Sequence, residues 1–189
     1  MVFLVIGLIG FIGIHSIRIV APDWRLKTIG VMGENKWKAI YSIVSLLSFV
    51  LLIYGYAQAK VDTSQVYTPF SEMYHVVLLL MAIAFVMMMV SNLGPGYIKR
   101  KFKHPFLLAT ILWSISHLWM NGDLASLILF GTFLLWAIVN LKSALGRPKA
   151  EPVEPLIRND IIAVVIGLGL YVLFIWKLHM AFFGVMPVA

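Results

Sequence analysis

The chain contains no cysteine, and only 12% of its 189 residues are charged. The absence of cysteine excludes disulfides, thiolate metal sites and covalent C-x-x-C-H haem attachment. Soluble domains carry about 25% charged residues, whereas 61% of this chain is hydrophobic and its mean hydropathy is +0.95. Because so little polar surface is available to face water, the composition predicts an integral membrane protein.

Charge is missing altogether from six long stretches, at residues 1–17, 39–59, 73–98, 104–122, 124–141 and 161–176. A membrane-spanning helix needs about 20 apolar residues, and continuous apolar runs without a period of two favour helices over strands. The sequence therefore predicts an all-α bundle that forms one domain over residues 1–189, with a proline-containing linker at 146–160. The six predicted transmembrane helices lie near residues 2–20, 40–56, 74–93, 105–120, 124–141 and 161–182.

Basic residues predict the orientation of these helices. Thirteen of the fifteen Lys and Arg residues follow the first, third and fifth predicted helices, and only Lys60 and Lys177 lie on the other side. Cytoplasmic loops carry the Lys/Arg excess of membrane proteins, so we expect the three basic loops in the cytoplasm and both termini outside. The same loops attract anionic headgroups of the membrane lipids, and no folded basic face indicates a nucleic-acid partner.

Small and turn-forming residues predict how some helices meet. Gly7, Gly10, Gly13 and Ser16 recur every third residue in the first helix, and such a seam permits close approach of another helix or of a flat ligand. The turn at residues 121–123 ends in an aspartate placed to cap the fifth helix, which predicts an antiparallel hairpin of helices four and five.

Histidines are the only candidate chemistry, because Walker loops, G-x-S-x-G, H-E-x-x-H and intramembrane carboxylate pairs are missing. An ionisable residue within a membrane segment is costly and is a functional hypothesis by default. His15 lies one turn before Arg18, which suits the carboxylate of a cofactor. The structural alternative is that Arg18 is the first cytoplasmic charge and His15 a hydrogen-bonded interior residue.

The other histidines carry similar pairs of interpretations. His117 shares a helix face with Trp113, so it is either a ligand or an interhelical hydrogen-bond partner. His75 and His104 lie at the starts of predicted helices, where each is either a ligand or an interfacial residue. Imidazoles from two helices can ligate haem iron or a transition metal, and without cysteine any haem is held noncovalently.

Three ordered motifs resemble those of a known family. They are Gly13-Ile14-His15-Ser16-Ile17-Arg18, then Gly33-Glu34-x-x-Trp37-x-x-x-Tyr41-Ser42, and finally Trp113-x-x-x-His117 with Asn121-Gly122-Asp123-Leu124-Ala125-Ser126. Together they resemble the NnrU family of bacterial inner-membrane proteins, over roughly residues 1–145. The resemblance implies a multi-pass protein of the bacterial inner membrane linked to nitrogen-oxide metabolism.

The NnrU family is similar in turn to the plastid zeta-carotene isomerase, a membrane enzyme with a b-type haem. By that similarity, haem b is the expected cofactor, and His15 and His117 are the expected iron ligands and catalytic residues. Arg18, His104 and His75 are further cofactor-binding candidates. The cysteine that the isomerase has near its second ligand is not reproduced here.

Two functions follow from the resemblance. One is a haem-dependent isomerase or oxidoreductase acting on a polyene-like or nitrogen-oxide small molecule. The other is a non-enzymatic accessory protein of a denitrification complex, with a membrane protein as its partner. Distance along the helices suggests different ligand pairs, since His15 lies about 5–10 Å and His117 about 20 Å from the basic side. Depth alone pairs His15 with His104, and His117 with His75.

Overall fold

The computed structural model of the chain describes residues 1–148 and 153–187 and is helical in all six charge-free stretches. A 3₁₀ turn at Ser71–Met73 precedes the fourth helix, and the last helix passes through a π-helical segment at Phe174–Leu178. The helices of the described residues are α1 (Val2–Val20), α2 (Pro22–Met32), α3 (Glu34–Val61), α4 (Tyr74–Asn92), α5 (Tyr97–Phe102), α6 (Pro105–Met120), α7 (Leu124–Leu145) and α8 (Ile157–Phe183).

Five of these helices, α1, α3, α4, α7 and α8, are long and apolar enough to cross a membrane. Large apolar side chains such as Ile9, Leu46 and Val165 are 62–68% exposed on their outer faces, where they contact lipid. The prediction of an all-α multi-pass membrane protein is therefore confirmed. The remaining predicted span, at residues 105–120, is α6, an apolar helix of 16 residues. At 1.5 Å per residue, this helix is shorter than a hydrocarbon core of about 30 Å.

Two helices, α3 and α8, start earlier in the structure than the sequence predicts. The charged start of α3 is helical from Glu34, where an i,i+4 ion pair with Lys38 (2.8 Å) supports the first turn. The predicted linker at 146–160 is already helical from Ile157, since the preceding Leu156 N–H donates to the Pro95 carbonyl at 3.0 Å. Residues 149–152 of that linker lie outside the described residues.

The packing order of the long helices is α3, α1, α7, α6, α4 and α8, which differs from the order along the chain. Helix α1 lies along α3, and α7 contacts α1, α3 and α6. Helix α4 packs between α6 and α8. Short α2 folds back on the start of α3, where the rings of Trp24 and Trp37 are 5.9 Å apart. Helix α7 therefore joins the two halves of the bundle.

Glycine makes the closest approach in the bundle, between α1 and α3. A Cβ on Gly7 would lie 2.6 Å from the Leu52 backbone nitrogen, and a Cβ on Gly55 would collide with the backbone of Leu4. Gly10 likewise faces the Ser48 side chain. The small-residue seam therefore serves close packing of another helix at these positions, as one of its two interpretations predicted.

The turn between α6 and α7 is held by the last turn of α3 and by the residues that follow it. Asp123 accepts the Ser126 N–H at 2.9 Å as the N-cap of α7, and it also binds Lys60 at 2.6 Å. The Gly122 carbonyl accepts the Val66 N–H at 2.8 Å. These contacts confirm the predicted cap and the antiparallel hairpin, and they close this end of the bundle.

At the opposite end, polar contacts likewise connect distant parts of the chain. The Asp160 carboxylate accepts the backbone N–H groups of Tyr97 (2.7 Å) and Ile98 (3.2 Å), so a residue of α8 caps the start of α5. Asn159 donates to the Pro95 carbonyl at 2.8 Å. Helix α4 ends at Asn92, immediately before this glycine- and proline-containing turn. The joint fixes the turn between α4 and α5 against α8.

The Gly7→Ala substitution should destabilise the protein, because the new Cβ would displace the α3 backbone. Overpacking of this kind costs about 1–3 kcal/mol. Gly13→Ala is the matched control on the same helix, since nothing lies within 4 Å of its Cβ position. Alanine is the better helix former by up to about 1 kcal/mol, so this control should be neutral or stabilising. Thermal unfolding in one detergent measures both, and equal melting temperatures would contradict the close packing.

The Asp123→Asn substitution should lower the free energy of unfolding by about 1–2 kcal/mol, because the amide can still cap α7 but loses the charge-assisted hydrogen bond from Lys60. Burial raises the Asp123 pKa, but the bonds from Lys60 and Ser126 outweigh it and hold that pKa below its usual 3.8. The carboxylate therefore stabilises the fold above pH 3.8, and this contribution is lost as the pH falls through the folded-state pKa. The difference from wild type should shrink in the same range.

Glu34→Gln is the control for this experiment, because it breaks an ion pair whose two side chains are 68% and 67% exposed. Exposed pairs contribute little, so its melting temperature should stay near wild type at every pH. If Asp123→Asn lowered the melting temperature as little as Glu34→Gln, a structural role for Asp123 in the turn between α6 and α7 would be contradicted.

Candidate functional site

A cavity of about 990 Å³ lies at the end of the bundle where α1 ends and α6 begins. This volume is at the upper end of the range of about 300–1,000 Å³ for small-molecule and cofactor sites. All three basic segments contribute to its lining, so they gather at one end of the bundle, as the sequence predicts. The basic side chains of the lining are Arg18, Arg25, Lys38, Lys99, Arg100, Lys103 and Arg147.

The electrostatics of this basic cavity favour an anionic ligand. Glu34 is the one carboxylate of the described lining, and it is bound to Lys38. Burial lowers the pKa of the Arg147 guanidinium, and repulsion from Arg18 lowers it further. Arg18 and Arg147 line the cavity without an ion-pair partner among the described residues, and either guanidinium can bind an incoming anion through two parallel hydrogen bonds.

His15 lies in the wall of the basic cavity with its ring fixed by three helices. Its Nδ1 is 2.7 Å from the Phe11 carbonyl oxygen. Since a carbonyl only accepts, Nδ1 carries the proton and the Nε2 lone pair remains available to a metal. The ring packs against Phe11, Tyr41 and Trp136 with centroids 4.3, 5.3 and 6.2 Å away. The side chain is therefore preorganised for ligation through Nε2.

His104, the N-cap residue of α6, lines the same cavity. Burial lowers the pKa of its imidazole, Arg147 and Lys103 lower it further, and a hydrogen bond to the Ala144 carbonyl opposes them. The ring is therefore neutral at neutral pH, which is the form that binds metals. The structure thus brings together three predicted site residues, His15, Arg18 and His104.

The other two predicted site residues lie elsewhere. The Nδ1 atom of His117 is 2.8 Å from the Trp113 carbonyl oxygen, and its ring stacks on Phe130 at 4.6 Å. It is not part of the described lining of the basic cavity. His75 is exposed at the start of α4, beside Tyr74. Iron ligation by His15 and His117 stays a prediction.

Aromatic side chains connect His15 to His117. Successive ring centroids are 4.3 Å apart from His15 to Phe11, 5.8 Å from Phe11 to Phe133, and 5.5 Å from Phe133 to Trp113. The Trp113 ring is 5.2 Å from His117. The two histidines therefore belong to one continuous aromatic core, although only His15 lines the basic cavity. Within the described residues, no group of three or more His, Asp or Glu side chains forms a metal site.

Sequence analysis missed Trp37, Tyr41, Trp136 and Arg147 as site residues. A signal existed for Trp37 and Tyr41, which are four residues apart in one of the family motifs and therefore share a helix face. Trp136 lies in an unremarkable apolar run, and its buried Nε1–H has no hydrogen-bond partner. Arg147 reaches the cavity because α7 continues to Leu145, four residues beyond its predicted end.

The gathering of the basic loops allows a direct test of orientation, because the chain has no native cysteine to interfere with labelling. Glu72→Cys and Lys101→Cys replace exposed residues at opposite ends of the bundle. We expect a membrane-impermeant maleimide to label Glu72→Cys in spheroplasts and to label Lys101→Cys only after lysis. The reverse pattern would contradict the predicted orientation with both termini outside.

Comparison with known proteins agrees with the motifs. The family model described as NnrU protein matches residues 3–187 of the 189-residue chain, which covers every helix described above except for the first residue of α1. No curated protein matches the chain. No solved structure matches it. Because the family match covers almost the whole chain, this protein belongs to the NnrU family.

Proposed function

We propose that this chain is a b-type haem protein of the bacterial inner membrane, in which His15 would hold the iron at the basic cavity. The observation that carries the proposal is the state of His15, whose Nδ1 is bonded to the Phe11 carbonyl while its ring lines a cavity rich in cations. Metal-ligating histidines characteristically donate their second ring N–H to such an acceptor. Membership of the NnrU family adds the resemblance to a haem-containing isomerase.

The residues of the basic cavity fit haem in both of its chemical parts. The macrocycle is flat and apolar, and the wall near His15 presents the aromatic rings of Tyr41 and Trp136. The two propionates are anionic, and Arg25 and Arg100 are among the basic side chains of the same lining. Charge-assisted bonds from arginine to carboxylates are roughly twice as strong as neutral ones.

His104 is the second ligand that the geometry favours. It lines the same cavity as His15 and is neutral at neutral pH. His117, the partner implied by the resemblance, packs against Phe130 outside that lining. The pair His15–His104 also agrees with the depth of the residues along their helices.

Haem, when bound, supplies one-electron redox chemistry or, in its reduced form, an interaction that lowers the rotation barrier of a double bond. The chain's own contribution is to hold the two imidazoles, to neutralise the propionates with arginine and to exclude water with aromatic rings. Glu34 is the only carboxylate of the described lining and is already paired with Lys38. General acid–base chemistry by two carboxylates is therefore not available there. We propose a cis–trans isomerase or oxidoreductase acting on a polyene-like or nitrogen-oxide small molecule.

Optical spectra of the detergent-purified protein test this proposal. Protein from haem-sufficient cells should show a Soret band and sharpened bands on reduction. His15→Ala should lose most of the haem because it removes the preorganised ligand. His104→Ala should lose haem or convert it to a high-spin form, whereas His117→Ala should retain the wild-type spectrum.

Each variant is compared with wild type at equal protein concentration, with thermal unfolding as the check on folding. His75→Ala is the matched control, since that histidine is exposed and distant from the cavity lining. A purified protein without Soret absorption would refute the haem proposal. Loss of haem in His117→Ala but not in His104→Ala would restore the ligand pair implied by the resemblance.

A further inference from the structure

The basic cavity adjoins a second feature, a groove of about 220 Å³ between α1 and α7. Its walls are largely apolar, with Ile12 and Ile19 on α1 and Leu135 and Val139 on α7. Leu135 is 65% and Val139 46% exposed on the outer face of the bundle. Because this face lies in the membrane, the groove is open to lipid rather than to water.

Trp136 is part of both linings, so the groove and the basic cavity meet at this side chain. The Trp136 Nε1–H is buried and has no hydrogen-bond partner among the described residues. A tryptophan nitrogen can only donate, and a buried unpaired donor costs free energy. A small rotation of the indole would bring this N–H to an acceptor oxygen of a ligand at the junction, and that hydrogen bond would remove the cost.

The charges of the basic cavity exceed what its own carboxylate can balance. Among the described residues, the ion pairs are Lys38–Glu34 in the cavity and Lys60–Asp123 at the opposite end. Arg18 and Arg147 both line the cavity, and neither forms an ion pair among the described residues. An acid group beside the apolar groove would satisfy both arginines.

We propose that an acidic membrane phospholipid binds at this junction. Its phosphate lies on Arg18 and Arg147, an oxygen accepts the Trp136 N–H, and one acyl chain follows the groove between α1 and α7. A phospholipid fits better than a soluble anion because the groove supplies a lipid-facing apolar wall next to the cations. Basic residues at the cytoplasmic surface also meet the leaflet that is rich in acidic lipids.

The position of this lipid bears on the site at His15. The Trp136 ring is 6.2 Å from the His15 ring, so an acyl chain beside Trp136 runs close to the proposed haem ligand. Lipid binding itself stands on the groove, the arginines and the indole N–H. Only the delivery of a hydrophobic chain to reactive haem rests on the proposed function.

Native mass spectrometry of the delipidated full-length protein tests the lipid site directly. Dioleoyl phosphatidylglycerol and dioleoyl phosphatidylcholine have the same chains and differ in headgroup charge. We expect phosphatidylglycerol to bind as one tightly held molecule, at least about tenfold more strongly than phosphatidylcholine, since two arginines contribute about fivefold each. Excess inorganic phosphate should not displace it, because phosphate has no chain for the groove.

Variants separate this site from general surface charge. Arg147→Gln should weaken phosphatidylglycerol binding about fivefold. Arg158→Gln removes an equal charge from an exposed position outside the cavity lining and should leave binding unchanged. Ser16→Phe fills the groove without changing charge and should also weaken binding. If Arg147→Gln does not fold, Trp136→Phe gives a second readout, because it removes the indole N–H together with part of the ring and leaves the charge unchanged.

Several results would overturn the inference: equal affinity for the two lipids, displacement by inorganic phosphate, or equal losses in Arg147→Gln and Arg158→Gln. Phosphatidylglycerol binding that appears only in the Glu151→Gln variant would also overturn it. That result would mean that the Glu151 carboxylate, which lies outside the described residues, neutralises the arginines in the wild-type protein. The Soret band is recorded on the same samples. Lipid selectivity without haem refutes only the proposed function, and haem without lipid selectivity refutes only this inference.

Discussion

The exclusion of charge from the membrane interior is the constraint on which the rest of this structure depends. With six charge-free stretches, every lysine and arginine has to lie at or near a helix end. Most of them follow alternate helices, so the fold collects them at one end. The basic cavity is the direct result, because seven like charges repel one another and cannot pack into a closed surface. The electropositive cavity and the apolar bundle both follow from the way in which charged residues are distributed along the sequence.

The charged groups at the two ends of the bundle are paired to different extents. At the end opposite the basic cavity, the Asp123 carboxylate pairs with Lys60 and caps the first turn of α7. The loop after α3 binds the same turn through the Gly122 carbonyl. At the basic end, one aspartate, Asp160, is used to cap α5 and is not available to the arginines. One end is therefore closed by capping and ion pairing, whereas at the other end the cations of the described cavity lining outnumber its carboxylates.

Helices and turns were predictable here because each depends on local chemistry. Continuous apolar runs predicted the long helices, and an aspartate after Asn121 and Gly122 predicted the cap that the structure has. The start of α8 was not predictable in the same way, since Ile157 is helical in a segment anchored to Pro95 by a contact between distant parts of the chain. The site divides similarly. His15 and Arg18 stood out as polar residues beside an apolar run, and His104 stood out as a histidine at the start of a predicted helix. The role of Trp136 follows only from the groove and the cavity that meet at it.

The π-helical segment at Phe174–Leu178 changes how the end of α8 is to be interpreted. A π turn accommodates one residue more than an α turn, and one residue corresponds to about 100° of rotation around the axis. A helical wheel continued through this segment therefore assigns the following side chains to the wrong face. His179, whose Nδ1 lies 2.7 Å from the Val185 carbonyl oxygen, is among them. Deleting one residue within the segment would restore regular winding and turn the C-terminal aromatic residues by that angle, so length variation among relatives at this point would carry a rotational meaning.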